Sequence, residues 1–311
     1  MLVSLDKAVE LLDGGQLVAI PTETVYGLAA DAESESALTL LYQTKGRPSG
    51  HPVILHVADL AMAEPYLESL SNVAKTLMEA FWPGPLTLLL PRSDRVSERV
   101  TGGRPLVGVR APDSALTLQL LRRLGRPVVA PSANRFGHIS PTLAQHVEQE
   151  FEGRVAVLDG GPCGVGLEST IVKVESSRLV LMRPGQLSRQ KIEEVAGLRL
   201  EEPEVPLTGG VPGALKSHYA PAQPVHLLSA EEIQGCSDAQ TALLVYSERP
   251  WPAALEVIRM PSEANGYAQR LYDALRQAEA SGCRKILAEL PPTGPEWAAI
   301  HDRLNRAASR E

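Results

Sequence analysis

Residues 17–28 join an apolar run, Leu17-Val-Ala-Ile20, to a turn rich in hydroxyl groups, Pro21-Thr-Glu-Thr-Val-Tyr-Gly-Leu28. The short apolar run predicts a buried strand, and Pro21 marks its end. Thr22, Glu23 and Thr24 would then follow the end of a strand, where open α/β sheets bind their ligands. The stretch therefore predicts an α/β fold with a polar site at this turn.

A basic motif, Lys45-Gly-Arg-Pro48, follows about one helix later. Lysine supplies a mobile point charge, and arginine supplies a planar fork that can bind two phosphate oxygens at once. Pro48 ends the helix directly behind the two cations. The motif favours a polyphosphate ligand, and the alternative is a solvated helix end whose cations balance the helix dipole.

The composition limits the class of protein. The chain has 311 residues, 44% of them hydrophobic and 22% charged, which predicts a globular protein of two domains. Its net charge of −7 argues against a broad nucleic-acid surface, because non-specific binding depends on clustered Lys and Arg. The first ten residues contain no long apolar run, so we expect no signal peptide or membrane span and predict a cytoplasmic location. Cys163, Cys236 and Cys283 are too far apart for a metal site or a disulfide framework.

Apolar periodicity predicts that helices and strands alternate from the start of the chain. The predicted helices are 5–13, 37–44, 71–81, 115–124 and 143–151, and the predicted strands are 17–20, 53–57, 86–90, 107–110, 127–130, 155–158, 168–172 and 179–182. Ser36 is the expected N-cap of the second helix. Polar residues lie at or just after the ends of three predicted strands: Thr24 after 17–20, Arg110 at the end of 107–110, and Ser132 with Asn134 after 127–130.

The composition changes near residue 199. Residues 199–224 are rich in Pro and Gly, which predicts a linker between a domain over residues 1–198 and a domain over residues 225–311. The second domain reads as a small Rossmann-like α/β unit with a parallel sheet. The glycine-rich stretch 160–166 fits no phosphate-binding fingerprint, and we interpret it as a flexible hairpin connection.

Seven motifs, taken together and in this order, resemble the threonylcarbamoyl-AMP synthase family, also called the YrdC/YwlC family, in its two-domain form. They are Pro21-Thr-Glu-Thr-Val-Tyr-Gly-Leu28, Lys45-Gly-Arg-Pro48, Phe81-Trp-Pro-Gly-Pro-Leu-Thr87, Pro131-Ser-Ala-Asn134, Glu168-Ser-Thr-Ile171, Leu181-Met-Arg-Pro-Gly185 and His218-Tyr-Ala-Pro221. The segment Ala299-Ile-His-Asp-Arg-Leu-Asn-Arg-Ala-Ala308 also looks like the two-domain form. The resemblance implies a YrdC-like twisted mixed sheet with a concave, positively lined cleft.

The resemblance also implies a reaction. L-threonine, bicarbonate or CO₂, and ATP would form L-threonylcarbamoyl-adenylate and pyrophosphate. A separate threonylcarbamoyl transferase would then pass the group to the adenosine beside the anticodon of certain tRNAs. Mg²⁺ is expected with the nucleotide, held by phosphates and water, with no metal ligands from protein side chains. No covalent nucleophile is needed, because the carbamate oxygen formed on threonine can attack phosphorus itself.

Site residues follow from the same resemblance. Lys45 and Arg47 would be the catalytic cations that neutralise the leaving pyrophosphate. The residues expected to bind threonine are Thr24, His56, Arg110, Ala130 and Ser169. Those expected to bind ATP are Lys45, Arg47, His51, Ser132, Asn134, Ser140, Arg183 and Tyr219. His56 has an alternative interpretation as a histidine whose hydrogen bonds are satisfied at the end of a strand.

The linker would fold back over the active site as a lid that excludes water, with Tyr219 as its aromatic contact. The alternative is an exposed linker whose tyrosine packs locally. The chain departs from the family pattern at several positions. His51 stands where Asn is usual, Leu106 where Thr is usual, Ser114 where His is usual and Ala29 where Gly is usual, and residues 211–217 differ as well.

Three other functions compete with this one. An RNA-binding or tRNA-binding module without catalysis would use the same cations, although the acidic chain makes a tRNA contact weak at most. Carbamoyl transfer, as in hydrogenase maturation proteins, would require zinc-finger segments that the cysteine spacing excludes. The third alternative is that the C-terminal domain is regulatory and binds a protein partner, and the sequence does not decide between this alternative and the others.

Overall fold

A ten-stranded mixed sheet forms the larger part of the structure, a computed structural model that describes residues 1–175, 178–203 and 219–309. A separate four-stranded sheet belongs to the C-terminal part. The strands are β1 (Val18–Ile20), β2 (Gly27–Asp31), β3 (Ile54–His56), β4 (Leu86–Pro91), β5 (Leu106–Arg110), β6 (Val128–Val129), β7 (Ala156–Val157), β8 (Thr170–Glu175), β9 (Arg178–Arg183), β10 (Leu200–Glu201), β11 (Val225–Leu228), β12 (Thr241–Val245), β13 (Glu256–Arg259) and β14 (Lys285–Glu289).

Helices connect these strands. They are α1 (Leu5–Asp13), α2 (Glu35–Lys45), α3 (Leu60–Ala63), α4 (Asn72–Phe81), α5 (Glu98–Thr101), α6 (Ala115–Leu124), α7 (Ala144–Phe151), α8 (Arg189–Ala196), α9 (Ala230–Cys236), α10 (Ala264–Ala280) and α11 (Ala298–Ala308). Two short 3₁₀ turns, Glu64–Tyr66 and Pro295–Trp297, precede other elements. None of the helices in the described ranges combines the length and the apolar composition that crossing a bilayer requires.

The large sheet has the strand order β10-β9-β8-β4-β5-β3-β6-β2-β1-β7 and mixes parallel with antiparallel pairs. This confirms the predicted mixed α/β fold. Strand β3 runs parallel to β5 but antiparallel to β6, so β5 and β6 run in opposite directions. The polar groups that follow these two strands therefore do not share one sheet edge, and Arg110 reaches the Thr24 hydroxyl through its long side chain, at 2.9 Å.

Most elements of the first domain lie where periodicity predicted them, and α6 has the predicted bounds. The predicted N-cap of α2 is wrong, because the Ser34 hydroxyl, and not that of Ser36, accepts the amide hydrogen of Ala37. Strand β2 was not predicted, and all five of its residues are buried. Leu200 and Glu201, which we assigned to the linker, pair with β9 as β10. The predicted linker residues 204–218 lie outside the described residues.

The C-terminal sheet has the order β11-β14-β12-β13, and its pairs are all parallel, as predicted. Helix α10 packs its buried side chains, including Tyr267, Leu271 and Leu275, in the core of this unit. That core also contains Val25, Ile139 and Leu167 from the first domain, so the two units share an apolar interface.

Gly166 shows how closely the two units approach. A Cβ at this position would lie 2.4 Å from Cα of Gln269 in α10 and 2.7 Å from the carbonyl oxygen of Ala268. The glycine-rich stretch 160–166 is therefore packed where it meets α10, which corrects its interpretation as a flexible hairpin connection.

Candidate active site

A cleft of about 530 Å³ lies where the first domain meets Tyr219. Its walls contain nine of the predicted site residues, which are Thr24, Arg47, His56, Arg110, Ala130, Ser132, Ser169, Arg183 and Tyr219. Thr22, Val25, Gly27, Ile54, Pro131 and Glu168 complete the lining. The lining contains three arginines and one carboxylate, so the cleft is locally positive in a chain of net charge −7. The structure thus brings together residues that are distant in sequence.

Lys45 lies directly behind the cleft wall, at the last position of α2. Its Nζ donates to the carbonyl oxygens of Ser132 and Asn134, both at 2.5 Å. Gly46 adopts φ 61°, a left-handed conformation that ends the helix and that glycine adopts without strain. Burial lowers the pKa of the Lys45 ammonium well below its usual range, and the charge of Arg47 lowers it further. In the described ranges its hydrogen-bond acceptors are neutral carbonyl oxygens, and the charge of Glu150, which is not at ion-pair distance, partly opposes the lowering of its pKa.

Arg47 is also buried, but its guanidinium reaches the cleft. One terminal nitrogen donates to the Pro52 carbonyl at 2.8 Å, and the group lies over the Phe136 ring, 5.4 Å from its centroid. Neither Arg47 nor Lys45 forms an ion pair with a carboxylate in the described ranges. Two buried basic groups without an ion pair at contact distance in the described ranges have the chemistry to bind a polyanion.

The other wall of the cleft is a network of hydroxyl groups around Arg110. Thr22 and Thr24 place their hydroxyl oxygens 2.8 Å apart, and Arg110 donates to the Thr24 hydroxyl. The Arg110 guanidinium also pairs with Glu23 at 2.6 Å and donates to the Gly84 carbonyl at 3.2 Å. This wall therefore already contains the carboxylate that its cation needs.

His56 closes this wall and is 3% exposed. Its Nδ1 lies 3.1 Å from the Ile54 carbonyl oxygen. Burial and the nearby charge of Arg110 lower the pKa of His56 to about 3, so the ring is neutral near pH 7. A neutral ring can hydrogen-bond a polar ligand without adding charge.

Gly27 and Ala130 make the floor of the cleft. A Cβ on Gly27 would lie 2.9 Å from Cβ of Ala130, so only glycine permits the two backbones to approach this closely. Ala130 lines the cleft, and its amide already donates to the Ile54 carbonyl at 3.2 Å.

Ser169 directly precedes β8, and Arg183 is the last residue of β9. The Ser169 hydroxyl lies 2.8 Å from that of Thr87, and Arg183 donates to the Ser169 carbonyl at 3.1 Å. Burial lowers the pKa of the Arg183 guanidinium. Gly185 permits this arrangement, because a Cβ there would lie 2.3 Å from the Thr170 amide nitrogen.

Glu168 was part of a quoted motif but was not predicted as a site residue. Its carboxylate accepts hydrogen bonds from Ser140, Tyr272 and Arg303, the last two from the C-terminal domain. Burial would raise the pKa of Glu168, but the charges of Arg303 and Arg183 outweigh it and lower that pKa to about 2. The sequence alone contains no signal for the pairing of Glu168 with Arg303, because the two residues are 135 positions apart.

The remaining predicted residues lie behind the cleft or beside it. Asn134 directs its amide to the carbonyls of Arg135 and His138, and Ser140 binds Glu168. His51 is partly exposed and contacts the Phe136 ring edge-on, 5.3 Å between centroids. Tyr219 lines the cleft at φ 63°, an unusual conformation for a side-chain-bearing residue. His218, which we grouped with it in the lid, lies outside the described residues.

A second groove, of about 660 Å³, continues from Ile54. Its walls are mostly apolar and include Leu89, Leu106, Gly108 and Met182. Arg104 and Lys173 are the charged residues that line it. An apolar groove beside a cationic cleft fits a ligand with one flat apolar end and one anionic end.

Comparison with known proteins identifies the family. The family profile described as "Telomere recombination" matches residues 10–185, and the one described as "Threonylcarbamoyl-AMP synthase, C-terminal domain" matches residues 187–309. The threonylcarbamoyl-AMP synthase of Bacillus subtilis (strain 168) is 38% identical in an alignment of 321 positions that covers 97% of this chain and 92% of the relative. The enzyme of the same name from Pyrococcus abyssi is 35% identical and covers 94% of this chain and 91% of its own length.

A solved structure agrees with the sequence matches. The crystal structure of P. abyssi Sua5 complexed with L-threonine superposes with a TM-score of 0.90 at 34% sequence identity, over 98% of this chain and 94% of that one. The match covers both domains. The chain therefore belongs to the threonylcarbamoyl-AMP synthase family, in its two-domain form.

Proposed function

We propose that this chain makes L-threonylcarbamoyl-adenylate and pyrophosphate from L-threonine, bicarbonate or CO₂, and ATP. The observation that carries the proposal is the pair Lys45 and Arg47, two buried cations with neutral partners, beside a hydroxyl-rich wall of amino-acid size. The polyanion would bind at the pair and the amino acid at the wall. The basic pair and the hydroxyl-rich wall would thus bind two different substrates.

Threonine would bind at the wall formed by Thr24, His56 and Arg110. Arg110 would share its guanidinium between Glu23 and the substrate carboxylate, since a planar fork presents donors on two edges. The neutral His56 ring and the Ser169 hydroxyl would contact the polar groups of the substrate. The backbone of Ala130, which lines the cleft, would supply a further hydrogen bond.

The reaction would proceed in two steps. The threonine amine adds to CO₂, losing a proton and forming a carbamate; from bicarbonate the same step releases water. A carbamate oxygen then attacks the α-phosphorus of ATP, and the bond from that phosphorus to the bridging oxygen of pyrophosphate breaks. Lys45 and Arg47 stabilise the charge that accumulates on the leaving pyrophosphate, while the walls keep the two substrates in line.

The nucleotide would span the cleft and the neighbouring apolar groove. Its phosphates would lie at Lys45, Arg47 and Arg183, and its adenosine end would lie along Leu106 and Met182. Mg²⁺ would be held by phosphate oxygens and water. Glu23 and Glu168, the carboxylates paired with Arg110 and Arg303 beside the cleft, do not form a cage for a metal.

The product would supply tRNA modification, since a separate transferase could pass the threonylcarbamoyl group to an adenosine of tRNA. The competing proposal is an RNA-binding module without catalysis. A duplex-binding face would present its cations to solvent, whereas Lys45 and Arg47 are 2% and 8% exposed. The burial of the two cations therefore favours a small polyanion as the ligand.

The test is pyrophosphate release from the purified chain with ATP and bicarbonate, comparing L-threonine, L-serine and no amino acid. Release that requires both threonine and bicarbonate is the expected result. An absence of release together with tight tRNA binding would contradict the proposal and favour the RNA-binding module.

A further inference from the structure

We propose that Arg303, in helix α11 of the C-terminal domain, is a positioning residue for the active site. Its guanidinium holds the backbone of Glu168 and Pro184, which adjoin Ser169 and Arg183. The proposal rests on the proposed function, since it assigns the C-terminal domain a part in placing the groups that bind substrate. The C-terminal domain would thus help to position the site through this side chain.

The contacts of Arg303 are directed at these two places. Its Nε donates to the Glu168 carboxylate at 2.8 Å. One terminal nitrogen donates to the main-chain carbonyls of Glu168, at 3.4 Å, and of Pro184, at 3.1 Å, and the other pairs with Asp302 at 2.5 Å. A single planar group therefore links the residue before Ser169 to the residue after Arg183.

These neighbours are parts of the cleft. Ser169 and Arg183 both line it, and Arg183 binds the carbonyl and the hydroxyl of Ser169. A displacement of either strand end would move both groups. Because a misplacement of about 1 Å can cost about 100-fold in rate, a group that fixes these ends affects the reaction without contacting the substrate.

Aromatic groups complete the arrangement. The Tyr272 hydroxyl donates to Glu168 at 2.9 Å, and the Tyr219 ring lies 5.4 Å from the Arg303 guanidinium. Tyr219 and Tyr272 are in contact, with ring centroids 5.6 Å apart. Arg303 thus also supports the tyrosine that lines the cleft.

The burial of Arg303 argues for a specific role. The side chain is 0% exposed at a domain interface, and burying a charge is costly unless it is paired and hydrogen-bonded. An apolar contact would join two domains at a lower cost. Lysine could keep the charge but could not reach the carboxylate and two carbonyls together, because its ammonium is a point and not a fork.

Another contact between the domains supplies a matched control. Asp273 of α10 lies 3.1 Å from Nε2 of His146 in α7. This pair joins the same two domains, but neither residue lines the cleft. Asp273→Asn therefore perturbs the interface away from the substrate groups.

The experiment compares the full chain carrying Arg303→Lys or Asp273→Asn with the wild type. We expect kcat for threonine-dependent pyrophosphate release to fall about 100-fold in Arg303→Lys, with KM values changed less than fivefold. Asp273→Asn should stay within threefold of the wild type. Amide hydrogen exchange at residues 169–171 and 185–186 should accelerate at least tenfold in Arg303→Lys only.

A second variant covers the case in which Arg303→Lys does not fold. Glu168→Gln/Arg303→Met removes both charges and keeps the side-chain volumes, so it should fold, retain fast exchange at 185–186 and keep a low kcat. Recovery of wild-type kcat and exchange in this double variant would overturn the proposal and make Arg303 only a counter-ion. An equal loss in Asp273→Asn would overturn it too. If the wild type released no pyrophosphate, the proposed function would be contradicted instead. Even then, unchanged amide exchange at residues 185–186 in Arg303→Lys would refute the positioning role of Arg303.

Discussion

The two ends of the cleft hold their cations in different ways. At the threonine end, Arg110 is paired with Glu23 and bound to the Thr24 hydroxyl, so its charge is compensated before any substrate arrives. At the phosphate end, Lys45 and Arg47 have carbonyl oxygens as hydrogen-bond partners, and neither forms an ion pair in the described part of the chain. The cations at both ends are buried, but only the one at the threonine end, Arg110, forms an ion pair with a carboxylate in the described part of the chain.

The difference matches the charges of the proposed ligands. Threonine is a zwitterion, so a wall whose charges already balance can bind it by exchanging contacts. A triphosphate brings several negative charges, and its binding energy can offset the cost of burying two basic groups that have no ion-pair partner at contact distance. The phosphate end is therefore the part of the site where stability is given up for function.

Removing a cation at the phosphate end should have the largest effect and tests the proposed difference between the two ends most directly. Lys45→Ala and Arg47→Ala should each lower kcat/KM for ATP by about 100-fold to 1,000-fold, because each charge acts on the transferring phosphates. Thermal unfolding should shift by only a few degrees, since no buried carboxylate loses its partner. Steady-state kinetics with ATP as the varied substrate, together with calorimetry, would measure both effects.

Lys75→Ala is the matched control for Lys45, because Lys75 is exposed on α4. Its kinetics should equal those of the wild type. Turnover near that of the wild type in Lys45→Ala or Arg47→Ala would remove the basis for the phosphate assignment.

At the threonine end the same kind of substitution should act on stability as well. Arg110→Met leaves the Glu23 carboxylate, with a side chain 11% exposed, without its partner, and should lower the free energy of unfolding by about 3 kcal/mol. The KM for threonine should rise more than the KM for ATP. Chemical denaturation and kinetics with each substrate varied would test this.

Glu23→Gln/Arg110→Met sharpens the test. The double variant should regain most of the stability and none of the threonine affinity. If Arg110→Met alone were as stable as Lys45→Ala, the two ends would not differ in the way we describe.

Much of the fold could be predicted because it depends on local signals. The predicted bounds of α6 are those observed, since its apolar period ends at Gly125, which adopts φ 71°. Strand β2 was missed because Gly-Leu-Ala-Ala-Asp has neither β-branched residues nor alternation. Strand direction was not predictable either, because partners such as β3 and β6 are set by long-range pairing.

The site divides in the same manner. Lys45 and Arg47 could be found from one short motif, because a helix end places both cations together. The roles of Glu168 and Arg303 could not be found, since their pairing depends on how two domains dock. Short motifs predicted polar groups that the structure brings to one cleft, and the packing of the two domains decides which groups hold them in place.

His56 allows the threonine end to be tested by pH. Its pKa is about 3 in the folded chain, against 6.5 for an ordinary histidine, so below pH 6.5 the unfolded state takes up a proton that the folded state does not. Stability from this group should therefore fall as the pH drops from 6.5 towards 3, by about 2 kcal/mol at pH 5 relative to pH 7. Denaturant unfolding across this range would measure the slope.

His56→Gln is the control, because glutamine does not titrate. Its stability should depend less steeply on pH between 6.5 and 5. An identical slope in both proteins would mean that His56 ionises normally in the folded chain.

The apolar groove beside the phosphate end carries the smallest expected effect. Leu106→Glu places a negative charge at the wall where the adenosine end would lie. The KM for ATP should rise about fivefold, which corresponds to about 1 kcal/mol, because the new carboxylate repels the phosphates across a solvent-screened distance. Leu106→Met keeps the volume and the apolar surface and should leave that KM unchanged. The threonine KM should not respond in either variant, because Leu106 does not line the threonine end. An equal rise in both KM values would instead mean that the substitution disturbs strand β5 and Arg110 at its end, so that the groove and the threonine end are not separate.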